Sequence, residues 1–114
     1  MTKSDEFLEY VKELFEDIDG IRYRKMFGGY GIYKHGVAFA LIFRGALYFK
    51  VDDTNRKDYE EHGSQPFVFQ TKTGTRTGKA HLELPPAILE DPDELSIWVE
   101  KSYHAARRAK AFKK

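Results

Sequence analysis

Phe7, Leu8, Val11, Leu14, Phe15 and Ile18 recur at steps of three and four, with Asp5, Glu6, Glu9, Lys12, Glu13, Glu16 and Asp17 filling the places between. That period lays one apolar stripe along a helix. Ser4 can cap it, Asp5 and Glu6 sit where the helix dipole favours negative charge, and Gly20 ends it. The predicted helix spans residues 4–18. From Ile21 the period becomes two, with Ile21, Tyr23 and Lys25 on one face and Arg22, Arg24 and Met26 on the other. Gly28, Gly29 and Gly31 let the backbone turn or bulge where a side chain would clash. Gly36 and Gly45 mark two hairpin turns, ahead of Val37–Ile42 and Ala46–Asp52. The run Val37–Phe43 is almost wholly apolar, as for a central strand covered on both faces or an aromatic-rich edge of the core. A compact antiparallel meander follows.

Asp52, Asp53 and Thr54 offer an N-cap to a short polar helix, Asn55–His62, closed by Gly63. Pro66 introduces a strand over Phe67–Gln70, Lys72–Gly78 reads as a turn-rich flexible connection, and Ala80–Leu84 is the return strand, stopped by Pro85-Pro86. Asp91-Pro92-Asp93-Glu94 combines an N-cap, proline at the first helical position and glutamate three residues after the cap. Leu95, Trp98, Val99, Ser102, Tyr103, Ala106 and Ala109 then continue at helical steps. The predicted fold class is α+β: an antiparallel sheet of five to six strands with an N-terminal helix, a short middle helix and a long C-terminal helix, mostly on one face.

At 114 residues the chain reads as one domain, residues 1–114. A hydrophobic fraction of 41% suffices for an ordinary core, and a net charge of +1 gives no overall field to attract nucleic acid or anionic lipid. With no cysteine, disulfides, thiolate metal sites and cysteine nucleophiles are excluded. No apolar run reaches membrane-spanning length and the N-terminus does not read as a signal peptide, so a cytoplasmic protein is expected.

Candidate chemistry is sparse. Gly74–Lys79 reads G-x-x-x-G-K, one residue short of a phosphate-cradling loop, with Ala80 where a magnesium-binding hydroxyl would stand. Gly28-Gly29-Tyr30-Gly31 could nest an anion, but no helix start follows it. His35, His62, His81 and His104 fall on four elements, and the paired carboxylates sit at helix starts or on polar helix faces. No catalytic residue, metal site or cofactor is therefore expected. Two basic clusters stand out: Arg22, Arg24 and Lys25 on the first strand, and Arg107, Arg108, Lys110, Lys113 and Lys114 at the end of the last helix. Brought together, they would make one positive face for phosphates.

The run Arg24-Lys25-Met26-Phe27-Gly28-Gly29-Tyr30-Gly31-Ile32-Tyr33 is followed by F-A-L-I and G-A-L-Y-F-K-V-D strands, then N-R-x-x-Y-E-x-x-G-x-x-P-F, L-E-L-P and a final helix with Trp98 and Ala-Ala-Arg-Arg-Ala. In that order the set resembles the amino-terminal domain of the TfoX/Sxy competence-regulator family, over nearly the whole chain. The resemblance implies a fold related to secretion chaperones and a bacterial transcriptional coactivator without enzymatic activity. It implies a protein partner in transcription, the cAMP receptor protein or RNA polymerase. The chain reads as a stand-alone domain of this type, without the carboxy-terminal domain of the full-length regulators. The expected function is a regulatory adaptor acting by protein contact, with Met26, Phe27 and Tyr30 as the contact rim and a homodimer as a further expectation. The alternative is direct binding of duplex DNA through residues 22–25 and 107–114.

Overall fold

A computed structural model describes residues 3–26 and 28–112. The elements in chain order are α1 (Lys3–Leu14), β1 (Ile21–Met26), β2 (Gly29–Lys34), β3 (Val37–Phe43), β4 (Ala46–Lys50), α2 (Arg56–Glu60), β5 (Pro66–Thr71), β6 (Gly74–Glu83), α3 (Pro86–Leu89) and α4 (Pro92–Phe112). The six strands form one antiparallel sheet in the order β1-β2-β3-β4-β6-β5.

The meander is built on two-residue turns. His35 and Gly36 have φ of 48° and 81°, and Arg44 and Gly45 have φ of 52° and 77°. Positive φ at both central residues is the twist that antiparallel strands require of so short a loop. One bulge interrupts the pairing. Ile32 faces Ala40 and Tyr33 faces Ala38, which leaves Phe39 as an extra residue. The bulge lets Phe39 and Ala40 both enter the core, where each is buried.

Among the described residues, α1 and α4 pack on one side of the sheet. Val11 of α1 and Phe15 just beyond it, Ile32, Ile42, Leu47 and Phe49 from the strands, and Leu95, Trp98 and Val99 from α4 belong to the core. Phe49 is its centre, edge-on to Phe15 at 6.4 Å and to Phe39 at 5.5 Å. Edge-to-face contacts of this kind add to the burial of each ring. Tyr59 of α2 packs on Trp98 at 4.7 Å, and its hydroxyl meets that of buried Ser102 at 3.1 Å.

Asp91 caps α4 as predicted, accepting from the Glu94 amide at 3.2 Å. Four boundaries differ from the sequence reading. α1 stops at Leu14, and turns carry the chain to Gly20. α2 begins only at Arg56, because Asn55 turns its side chain back to accept from the Asp52 amide (2.8 Å) and donate to the Lys50 carbonyl (3.2 Å). Pro85-Pro86 ends β6 but also opens the one-turn helix α3. The segment expected to be a loop, Lys72–Gly78, is mostly strand: only Lys72 and Thr73 turn, and β6 starts at Gly74.

Candidate functional site

The helices leave the opposite face of the sheet open on the side of β1–β3. Strand alternation assigns residues to it. Tyr23 pairs with Ile32 and both belong to the helix-covered side, so Arg22, Arg24 and Met26 of β1 fall on the open side. By the same register Gly31 and Tyr33 of β2, Leu41 and Phe43 of β3 and Tyr48 of β4 line that face.

The glycines of the central motif shape this surface. A Cβ on Gly29 would stand 1.9 Å from the Ile42 carbonyl oxygen, so only glycine lets β2 approach β3 there. A Cβ on Gly31 would lie 2.7 Å from Met26 Sδ and 3.4 Å from the Tyr33 ring. The bare backbone at Gly31 is therefore the floor on which Met26 and Tyr33 lie. Met26 is nonetheless 47% exposed. Arg24, Lys25, Met26, Gly28 and Tyr33 enclose an open groove of about 650 Å³. Beyond Leu41 the face continues into an aromatic group, with Phe67 edge-on to Phe43 at 5.2 Å and to Tyr48 at 5.3 Å. The Arg44 guanidinium lies 5.2 Å from the Phe43 ring centre. The surface is thus apolar at its middle, with Arg24, Lys25 and Arg44 around it.

The three residues expected to form a contact rim occupy different places. Met26 is on the open face. Tyr30 is on the helix side, where its hydroxyl donates to the Asp5 carboxylate of α1; that bond, first of all, raises the phenol's pKa. Phe27 lies outside the described residues.

The basic residues separate likewise. Arg22 and Arg24 are exposed on the open side, and Lys25 is exposed at the β1 edge. The end of α4 lies on the helix side. Arg108 there donates from Nε to Asp52 Oδ2 at 2.8 Å and from a terminal nitrogen to Thr54 Oγ1 at 2.7 Å. That pairing holds the Asp52 carboxyl well below the usual carboxylate range, with the two Thr54 hydrogen bonds assisting. Arg107 lies over the Tyr103 ring at 5.7 Å, and Lys110 is exposed. Lys113 and Lys114 lie outside the described residues. Arg22 and Arg24 thus lie across the sheet from the end of α4.

The histidines are dispersed. His35 sits edge-on to Tyr103, His62 to Trp98, and His104 beside Glu100. Burial, and then the charge of Lys50 opposite, lower His81 to about 4. Among the described residues no three His, Cys, Asp or Glu side chains gather to hold a metal ion. No described helix is long and apolar enough to cross a membrane.

Sequence reasoning singled out Met26 but passed over Tyr33, Leu41, Phe43 and Tyr48. The period-two pattern of β1 and the two-residue turn carry Tyr33 onto the face of Met26, but the bulge at Phe39 shifts the register of β3, so alternation alone would have put Leu41, Phe43 and Tyr48 on the other face. Residues 13–106 match the family model described as TfoX N-terminal domain. No curated protein matches the chain.

Proposed function

The chain belongs to the TfoX N-terminal domain family, and from that membership we propose that it is a regulatory adaptor that engages a protein partner through the open face around Met26 and Tyr33. The family supports a competence-related regulatory role. The observation that carries the contact surface is Met26 itself: an apolar side chain left 47% exposed over the floor of a groove. A flexible thioether adapts to an irregular partner, and truncating one well-placed apolar anchor can remove most of an interface's affinity. The surrounding Arg24, Lys25 and Arg44 favour a partner whose contact patch is apolar with carboxylates at its margin. A component of transcription, the cAMP receptor protein or RNA polymerase, is the partner this reading names. Tyr30 then serves the site from behind, by tying β2 to α1.

Duplex DNA held by the clusters of residues 22–25 and 107–114 has less support. Arg108 is already engaged by Asp52, and Arg22 and Arg24 lie on the side of the sheet opposite the helices. A homodimer formed by strand pairing along β1 would set Arg22, Arg24 and Lys25 against their copies, which disfavours it.

Affinity capture from native lysate after nuclease treatment tests the proposal. The wild-type chain should retain a transcription component, and Met26→Glu should lower its recovery at least about tenfold, the equivalent of ~1.4 kcal/mol. Equal capture by both chains, or loss of all captured protein on nuclease treatment, would overturn it.

A further inference from the structure

β1 is an edge strand: among the described residues β2 is its one neighbour in the sheet. The His35 amide donates to the Gly20 carbonyl at 2.9 Å, and from there the register runs unbroken from Ile21↔Lys34 to Met26↔Gly29. Directly opposite residues of antiparallel strands exchange both bonds at every second pair. Arg22, Arg24 and Met26 therefore bond across to Tyr33, Gly31 and Gly29, in the phase that a two-residue turn after Met26 also requires. The amides and carbonyls of Tyr23 and Lys25 point the other way, where no strand lies among the described residues. They leave a short unpaired ladder along the edge.

The side chains along this edge are cationic. Arg22 and Arg24 are exposed on the open face beside Met26, and Lys25 is exposed on the face of Tyr23. The ion pairs among the described residues take in Lys12, Lys34, Lys101, His104 and Arg108, and none of these three. Cations guard many strand edges against self-pairing. Guarding alone would call for charge on β5 as well, the opposite edge of the sheet, yet Gly63–Thr71 carries none. Arg24 and Lys25 also wall the groove that holds Met26. Phosphodiester oxygens would match the cations but offer no donor to the outward carbonyls. A peptide strand carrying carboxylates matches both, because its backbone alternates donor and acceptor.

We propose that β1 takes up an extended acidic segment of the protein partner as an added antiparallel strand, bonded to the backbone of Tyr23 and Lys25. Directly opposite side chains on one face stand within about 5.5 Å of each other, so the register specifies the segment. Carboxylates lie opposite Arg22, Arg24 and Lys25, and apolar side chains opposite Ile21, Tyr23 and Met26. In the segment's own direction the order is apolar, acidic, acidic, apolar, acidic, apolar. A second copy of β1 does not satisfy it, since cations would oppose cations. The arrangement rests on the open-face reading, in which Met26 is the anchor, and adds to it the chemistry that the partner presents.

The probe is the synthetic peptide T-V-E-E-V-E-V-T, added to the full chain and followed by amide hydrogen exchange. At about ten times its dissociation constant it should slow exchange at Tyr23 and Lys25 about tenfold. The amides of Arg22 and Arg24, already bonded to β2, should change little. The same peptide N-methylated at its fifth residue, opposite Tyr23, keeps every charge but loses a backbone donor. It should bind at least about tenfold more weakly. Arg22→Glu combined with Arg24→Glu should weaken the unmodified peptide by a similar factor, with circular dichroism confirming that the variant is folded. No binding of the acidic peptide, equal affinity for its methylated form, or binding without protection of Tyr23 and Lys25 would overturn strand addition. Equal protection by T-V-K-K-V-K-V-T or by a mixed-sequence DNA duplex would also overturn it. Each of these results leaves the Met26 contact standing, because capture by Met26→Glu tests the open face separately.

Discussion

At the scale of single residues, two glycines separated by one tyrosine carry opposite burdens. The missing Cβ of Gly29 makes room for backbone, the Ile42 carbonyl, which cannot step aside without parting β2 from β3. The missing Cβ of Gly31 makes room for the end of the Met26 side chain, which can. Gly29→Ala should therefore destabilise the protein by about 3 kcal/mol, at the upper end of overpacking costs, whereas Gly31→Ala should cost less than about 1 kcal/mol. Urea unfolding of the two variants measures the difference. Comparable losses would mean that Met26 is held as rigidly as backbone. Tyr30 and Tyr33 make a related pair. Both read as aromatic strand residues in a glycine-rich motif, yet one is bonded to α1 and the other lines the open face. Composition does not distinguish them; only the register from Ile21↔Lys34 to Met26↔Gly29 does.

At the scale of elements, the parts with strong local rules were readable from sequence and the parts set by distant partners were not. α4 announced itself through Asp91, Pro92 and Glu94, and the hairpins through Gly36 and Gly45, because caps and tight turns are decided by a few neighbouring residues. The β5–β6 ribbon was misread because Thr, Gly and Lys are also turn residues, and nothing local shows that Thr75 will face Gln70. The start of α2 was misplaced for a similar reason. Asn55 looked like a helical residue, but its buried amide joins the Asp52 amide to the Lys50 carbonyl at the end of β4. Removing it takes the acceptor from the Asp52 amide and a donor from the Lys50 carbonyl. Asn55→Ala should cost about 2 kcal/mol, read as a shifted urea midpoint with unchanged slope. A cost indistinguishable from zero would mean that solvent replaces the amide. By contrast the Arg108–Asp52 pair beside it is partly exposed, with side-chain exposures of 44% and 29%, and Arg108→Ala should cost no more than about 1 kcal/mol.

At the scale of the whole molecule, the chain is a sheet with one face committed to stability and the other available for contact. His81 reports on the sheet's integrity. Its folded pKa, about 4, lies below the ordinary histidine value of 6.5 because burial and Lys50 disfavour the imidazolium. The unfolded chain therefore binds the extra proton first, and stability present above pH 6.5 is lost as pH falls towards 4. By pH 5 the loss should be about 2 kcal/mol, and His81→Gln should flatten that limb of the profile. The family resemblance was legible because it rests on the order of motifs along the chain; the open face was not, because it is assembled across four strands. The most direct test of the open-face account is photo-crosslinking in living cells. A benzophenone amino acid would be placed in turn at Met26, at Tyr33, and at Ile97, a 49% exposed position on the helix side. The account predicts nuclease-resistant protein adducts from positions 26 and 33 and none from 97. Adducts from Ile97 alone, or from none of the three, would contradict it.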